Sequence, residues 1–258
     1  MKIDDFEGNE LPISENSVSK KVETFEDFLA EYTKPEYMAI EKTLDVIAGT
    51  HEMLFEGGVH CVHGLAGEGK TYFILGLLNA LAAERRVLWL DGDNNGVKMG
   101  ERYANVKHIP PLNPNEWLDR LIDSGHNLSS TIIILDALKD FSFEEDSDNN
   151  KGSNRILQRY KLLSNMGATL IIITHSTALR EGGKIVDVKL RGNEEGIKAN
   201  TDVVYLFEHD WEANKRTITV QKSRVDGVKK GDKHIQNALS WAKLSLTDNR
   251  DSTEEEAE

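Results

Sequence analysis

The sequence is short of several things. It has one cysteine, Cys61, in 258 residues. That excludes an intrachain disulfide and a cysteine-ligated zinc cluster, and it suits a reducing cytoplasm. No apolar run approaches the roughly eighteen residues that a membrane-spanning helix needs. The opening MKIDDFEGNELP lacks the basic-then-apolar plan of a secretory signal. A cytoplasmic chain with no membrane partner is expected. Positive charge is also scarce: 31 Lys and Arg stand against 44 Asp and Glu, a formal net charge of −13. Taken alone, that total argues against a nucleic-acid partner, whose affinity comes largely from neutralised phosphates. The deficit is uneven, however. Residues 1–30 hold eight acids and three bases, and residues 248–258 hold six acids and one arginine, so the ends carry −10 of the −13. Between Lys215 and His234 the balance reverses, with seven bases and two acids. Channel-type binding needs positive charge on one surface only. The deficit excludes little.

What is present is enough for a core. The chain is 39% hydrophobic and 29% charged, as a globular chain of one large α/β domain with short appendages would be. Three parts are expected: an acidic arm over 1–30 leading into a short helix TFEDFLAEY (24–32), a main domain over 31–247, and a disordered acidic tail over 248–258. Within the main domain, strands and helices alternate. GGVHCVHG (57–64), RVLWLDGD (86–93), TIIILDAL (131–138), ATLIIITH (168–175), TDVVYLFEH (201–209) and RTITVQKSR (216–224) have strand patterns. TYFILGLLNALAAE (71–84), EWLDRLIDS (116–124) and SNRILQRYKLLSNMG (153–167) have helical ones. Continuous Ile/Val/Leu strands between helices predict a mostly parallel sheet covered on both faces. A last packed element is expected at the stripe Leu239, Trp241, Leu244, Leu246. His60 and His63 fall on opposite sides of a strand, so a metal site there is not expected.

The most specific local pattern is Gly64-Leu65-Ala66-Gly67-Glu68-Gly69-Lys70-Thr71, which fits G-x-x-x-x-G-K-[ST] at every fixed position. A strand precedes it, and an apolar helix starts inside it and continues through Tyr72. Glycines at 64, 67 and 69 let successive backbone N–H groups face one anion, and the helix N-terminus adds partial positive charge. Lys70 would reach the β- and γ-phosphates of ATP, and the Thr71 hydroxyl would ligate Mg²⁺. Asp136, after four apolar residues, is the expected second magnesium group. The next residue is Ala137, where many P-loop ATPases of other classes carry a water-activating glutamate. That acid is expected instead at the end of the second strand, at Asp93 or alternatively Asp91, on the sheet edge where ligands of open α/β sheets gather.

In this order the motifs resemble the RecA-like ATPases, in particular the ring-helicase branch that includes plasmid RepA and the DnaB-type replicative helicases. The resemblance spans roughly residues 45–228. It implies a catalytic acid after the second strand (WLDGD), the magnesium acid on the third (IIILD), and a polar sensor of the γ-phosphate after the fourth, here His175. It implies a mobile DNA-gripping loop over 176–200, with hinge freedom at Gly182-Gly183 and with Lys184, Lys189 and Lys198 available for phosphates. It also implies cations that reach a neighbouring subunit's nucleotide: Lys222 and Arg224, with Arg191 of Arg191-Gly192-Asn193 as a rival or additional finger. The implied protein is a Mg·ATPase that assembles as a six-membered ring and works on single-stranded DNA as a replicative helicase. Primase or other replication proteins would be further partners. Two departures stand out. An aspartate replaces the usual glutamate, and Asn193 replaces a serine. With no separate N-terminal domain of the DnaB kind expected, loader contacts or ring closure would fall to the arm. A recombination or loading ATPase that binds DNA without unwinding it is the alternative, and a small-molecule P-loop kinase is a more distant one.

Overall fold

The computed structural model describes residues 44–92, 103–109, 114–138, 150–182, 184–191, 194–237 and 246–248. The chain divides into two units, Met1–Thr43 and Leu44–Glu258. The first unit, which contains the expected arm and its helix, lies outside the described residues. So do Asp93, Gly183, Gly192, Asn193, Leu239, Trp241, Leu244 and 249–258.

Ten strands are described: β1 (Val59–Gly64), β2 (Arg86–Asp91), β3 (Lys107–Ile109), β4 (Thr131–Asp136), β5 (Thr169–Glu181), β6 (Lys184–Leu190), β7 (Val203–Asp210), β8 (Lys215–Ser223), β9 (Lys233–Asn237) and β10 (Leu246–Asp248). Four helices accompany them: α1 (Lys70–Leu81), α2 (Pro114–Asp123), α3 (Asn150–Asn165) and α4 (Glu194–Asn200). The sheet order is β10-β9-β8-β7-β1-β5-β4-β2-β3, with β6 attached to β5. From β7 to β3 every pairing is parallel. The strands β8, β9 and β10 extend the sheet antiparallel.

Burial on both sides explains why the central strands are uninterrupted apolar runs. Every residue of β1 and β4 is buried. Alternate side chains then feed two cores. Val62, Ile134, Ile173 and Tyr205 pack on one face with Phe73, Ile74 and Leu77 of α1. On the other face, Cys61, Ile133, Ile172 and Val204 pack with Leu118 of α2, Tyr160 and Leu163 of α3, and Ile197 of α4. The expected mostly parallel sheet with helices on both faces is therefore present.

The structure departs from expectation after the fourth predicted strand. Instead of ending at His175, β5 runs on to Glu181 and pairs antiparallel with β6. Gly182 makes the turn at φ 57°, in the left-handed region that favours glycine. The stretch 176–200, expected as a loop, is a projecting hairpin followed by α4. Of the pair expected to give hinge freedom, Gly182 sits in this turn, and Gly183 lies outside the described residues. Val186 is an extra residue on β6, because Leu179 pairs with Asp187 but Arg180 with Ile185. This bulge puts Lys184 and Lys189 on the same face, across from Glu181 and Thr177. Lys198 is not on the hairpin at all. It lies on α4 and pairs with Glu194. At the far edge, Asp248, expected to begin the tail, pairs with His234 as the last residue of β10.

Candidate nucleotide-binding site

The Gly64–Thr71 segment connects the end of β1 to the start of α1. Gly67 and Gly69 take φ of 82° and 89°, and a side chain at either would be strained. Gly64 is required for a different reason: a Cβ there would collide with the Phe207 carbonyl oxygen of β7. No side chain caps α1, so the first-turn amides remain for an anion. The buried Lys70 ammonium donates to the carbonyls of Gly64 (2.9 Å) and Leu65 (2.8 Å), which holds it across the mouth of the loop.

Thr71 and Asp136 are 65 residues apart, yet Thr71 Oγ1 donates to Asp136 Oδ2 at 2.7 Å. The strand carrying Asp136 is not the neighbour of β1. Between them lies β5. The contact forms because Asp136 continues the Ile132, Ile134 side of β4, which faces α1. The Asp136–Ala137 peptide is cis. A hydroxyl and a carboxylate at hydrogen-bond distance beside an uncapped helix N-terminus are hard oxygen donors of the kind Mg²⁺ takes.

Asp91 is in register with Asp136 on β2, and its side chain is fully buried. Its Oδ2 meets His108 Nε2 of β3 at 3.1 Å, and the His108 ring packs on Trp89. One oxygen of this acid is thus already engaged. His175 is in register with Gly64, and alternation places it on the α1 face with Ile171 and Ile173. Phosphate loop, Thr71, Asp136, Asp91 and His175 therefore meet at one edge and one face of the sheet.

Lys222, Arg224 and Arg191 are elsewhere. The β7–β8 register puts Val204 opposite Lys222 and Tyr205 opposite Val220, so Gln221 is a bulge. Strict alternation would leave Lys222 on the side of Val220, facing α1. The bulge turns it to the opposite core, where its ammonium donates to the carbonyls of Lys198 and Thr201. Arg224 Nη2 donates to Ala199 O at 2.7 Å. Both cations thus hold the C-terminal end of α4, where helix carbonyls lack partners. Burial, then the neighbouring Arg224, pulls the Lys222 pKa down to about 8. Arg191 is exposed, and its amide donates to His175 O at the root of the hairpin (3.1 Å).

Three features had no sequence signal beyond residue type. Glu68 folds back so that its carboxylate accepts from the Leu65 amide (3.1 Å), one of the loop's own N–H groups. Burial raises its pKa, opposed by Lys70 and that amide and reinforced by Glu208. His63 bridges Ser176 (2.8 Å) and Gln221 (2.9 Å), while His60 accepts from the Phe55 amide (3.1 Å) on the opposite face. Among the described residues no cluster of three or more His, Cys, Asp or Glu could hold a metal ion. Cys61 is buried, and that burial pushes its thiol up to about 12.

No family model matches the chain, and no curated protein matches it. Solved structures do. The RadB recombinase superposes with a TM-score of 0.52 at 13% identity, over 70% of this chain and 87% of that one. A KaiC-like protein from the hyperthermophilic archaeon Pyrococcus horikoshii OT3 superposes with a TM-score of 0.52 at 16% identity, over 75% and 91%. The fold is RecA-like. In this RecA-like fold the GLAGEGKT loop occupies the end of a central strand, and the β5–β6 hairpin leaves the sheet immediately beside it. Among the described residues no helix is long and apolar enough to cross a membrane.

Proposed function

We propose that this chain is a Mg²⁺-dependent ATPase that assembles as a six-membered ring and translocates on single-stranded DNA as a replicative helicase. The observation that carries the nucleotide part is the Thr71–Asp136 hydrogen bond at the foot of the glycine loop. Loop amides and Lys70 would hold the triphosphate, with Leu65, Ala66, Gly67, Glu68, Gly69 and Tyr72 around it. Thr71 and Asp136 would hold Mg²⁺, which supplies charge neutralisation on the β- and γ-phosphates. Asp93 or Asp91 would orient the attacking water, and Asp91 is already fixed by His108.

Support for coupling to DNA comes from β5, a single strand that carries His175 beside Gly64 and then becomes one arm of the exposed hairpin. A change felt by His175 at the γ-phosphate would move that hairpin. Lys222 and Arg224 would have to release the α4 carbonyls they hold here to reach a neighbour's nucleotide, and Arg191 at the hairpin root is the other candidate.

The test measures ATP hydrolysis with and without single-stranded DNA, unwinding of a forked duplex, and assembly size with nucleotide. Stimulation, unwinding and a hexamer are expected, and mixing Arg224→Ala with Lys70→Ala subunits should restore part of the ATPase. A monomer whose ATPase ignores DNA would sink the ring reading. The second reading is ATP-controlled DNA binding without unwinding, and filaments on DNA with no strand separation would select it.

A further inference from the structure

We infer that the turn joining β7 to β8, with Trp211 as its platform, seats the nucleobase of the nucleoside triphosphate whose phosphates the Gly64–Thr71 loop holds. The inference rests on the nucleotide reading above and assigns the part of the ligand that reading leaves out.

Direction comes first. The magnesium pair and Asp91 lie on the β5-β4-β2 side of β1, which places the γ-phosphate end there. The other end of the ligand must leave the loop on the opposite side, where β7 is the next strand. The last residues of β7 run along the loop. The Phe207 carbonyl fills the space beside Gly64, and His209, two residues further along the same strand, lies close enough to the Glu68 backbone to feel its field. Two residues on, Trp211 is 67% exposed and lies against His209, with ring centroids 3.8 Å apart and planes at 36°.

An indole left this exposed, in the polar turn Asp210–Asn214, is an apolar surface without a core to join. The turn is ordered nevertheless, because Asp210 Oδ1 accepts from the amides of Glu212 and Ala213, both at 3.0 Å. Arg216 pairs with His209 across the hairpin, which ties the turn to β8. A flat indole on a rigid turn is a stacking surface for any base, so it recognises the ring rather than a particular set of base edges.

The experiment compares ATP with inorganic tripolyphosphate, both with Mg²⁺, by titration calorimetry on the full chain. Trp211→Ala should weaken ATP about tenfold and leave tripolyphosphate unchanged, and Trp211→Phe should keep most of the ATP affinity. Tryptophan emission should respond to ATP but not to tripolyphosphate, and Trp211→Phe should lose the response. Unchanged ATP affinity in Trp211→Ala overturns the inference. An equal loss for both ligands also overturns it and makes Trp211 a support for the loop. Failure of the nucleotide reading looks different: the unsubstituted chain binds neither ligand, or Lys70→Ala binds ATP undiminished, and the inference then falls with it.

Discussion

Single residues of the site differ in what they have to give up when a triphosphate arrives. The Glu68 carboxylate already occupies the Leu65 amide, and a second anion must displace it against like charge. Glu68→Gln keeps a side-chain oxygen for the amide without the charge, and it should tighten ATP binding about threefold to tenfold. Calorimetric titration of the two chains checks this. Thr71→Val removes the donor to Asp136 at almost constant volume. It should leave a folded chain whose ATP affinity no longer rises with Mg²⁺, read by repeating the titration with excess chelator. Lys222 makes a pH prediction. Its pKa falls from the ordinary lysine value near 10.5 to about 8, so between those values the unfolded chain binds the extra proton. Stability therefore rises with pH across that window, and the contribution is lost as pH falls through about 8. Because the side chain is half-exposed, the size of the effect is small. Amine acylation resolved by peptide mass analysis should show Lys222 reacting with a midpoint near pH 8, well below the other lysines.

At the scale of elements, the hairpin and the bulges are the informative parts. Among the described residues, the β5–β6 arm is paired only to itself beyond Ser176 and is mostly exposed. Replacing 178–188 by a tight turn should leave thermal unfolding cooperative and ATP binding intact, while single-strand DNA affinity falls. Retained DNA affinity would move the nucleic-acid surface elsewhere, with the basic segment from Lys215 to His234 next in line. Gly182→Ala asks less of the arm. The turn has open space for a Cβ, so the left-handed φ alone opposes the change, at about 1 kcal/mol. A melting curve should show a shift of a few degrees or less.

For the whole molecule, the unequal distribution of charge matters more than its sum. The residues 249–258 carry five acids and one arginine, and they follow the last described strand. Removing them should leave ATPase unchanged and strengthen non-specific DNA binding at low ionic strength, with the difference vanishing as salt screens it. A filter-binding series in salt would settle the sign. The proposed ring would be tested at this scale as well, by measuring assembly size with and without nucleotide.

The sequence by itself determined the glycine loop, the alternation of apolar strands with helices, and the position of Asp136 at a strand end. Each is encoded within a window of ten or so residues, where periodicity and turn chemistry act locally. Only the tertiary structure decided that β5 stands between β1 and β4, so that Thr71 meets Asp136 across an intervening strand. It also decided that the extra residue Gln221 turns Lys222 toward α4, and that Val186 aligns Lys184 with Lys189. A bulge is invisible to a period-two pattern, because it depends on the partner strand and not on the chain that carries it. Trp211 shows the same division. Its residue type is plain in the sequence, but its place at the end of the strand that flanks Gly64 depends on which strand lies next to β1, and that is a property of the sheet alone.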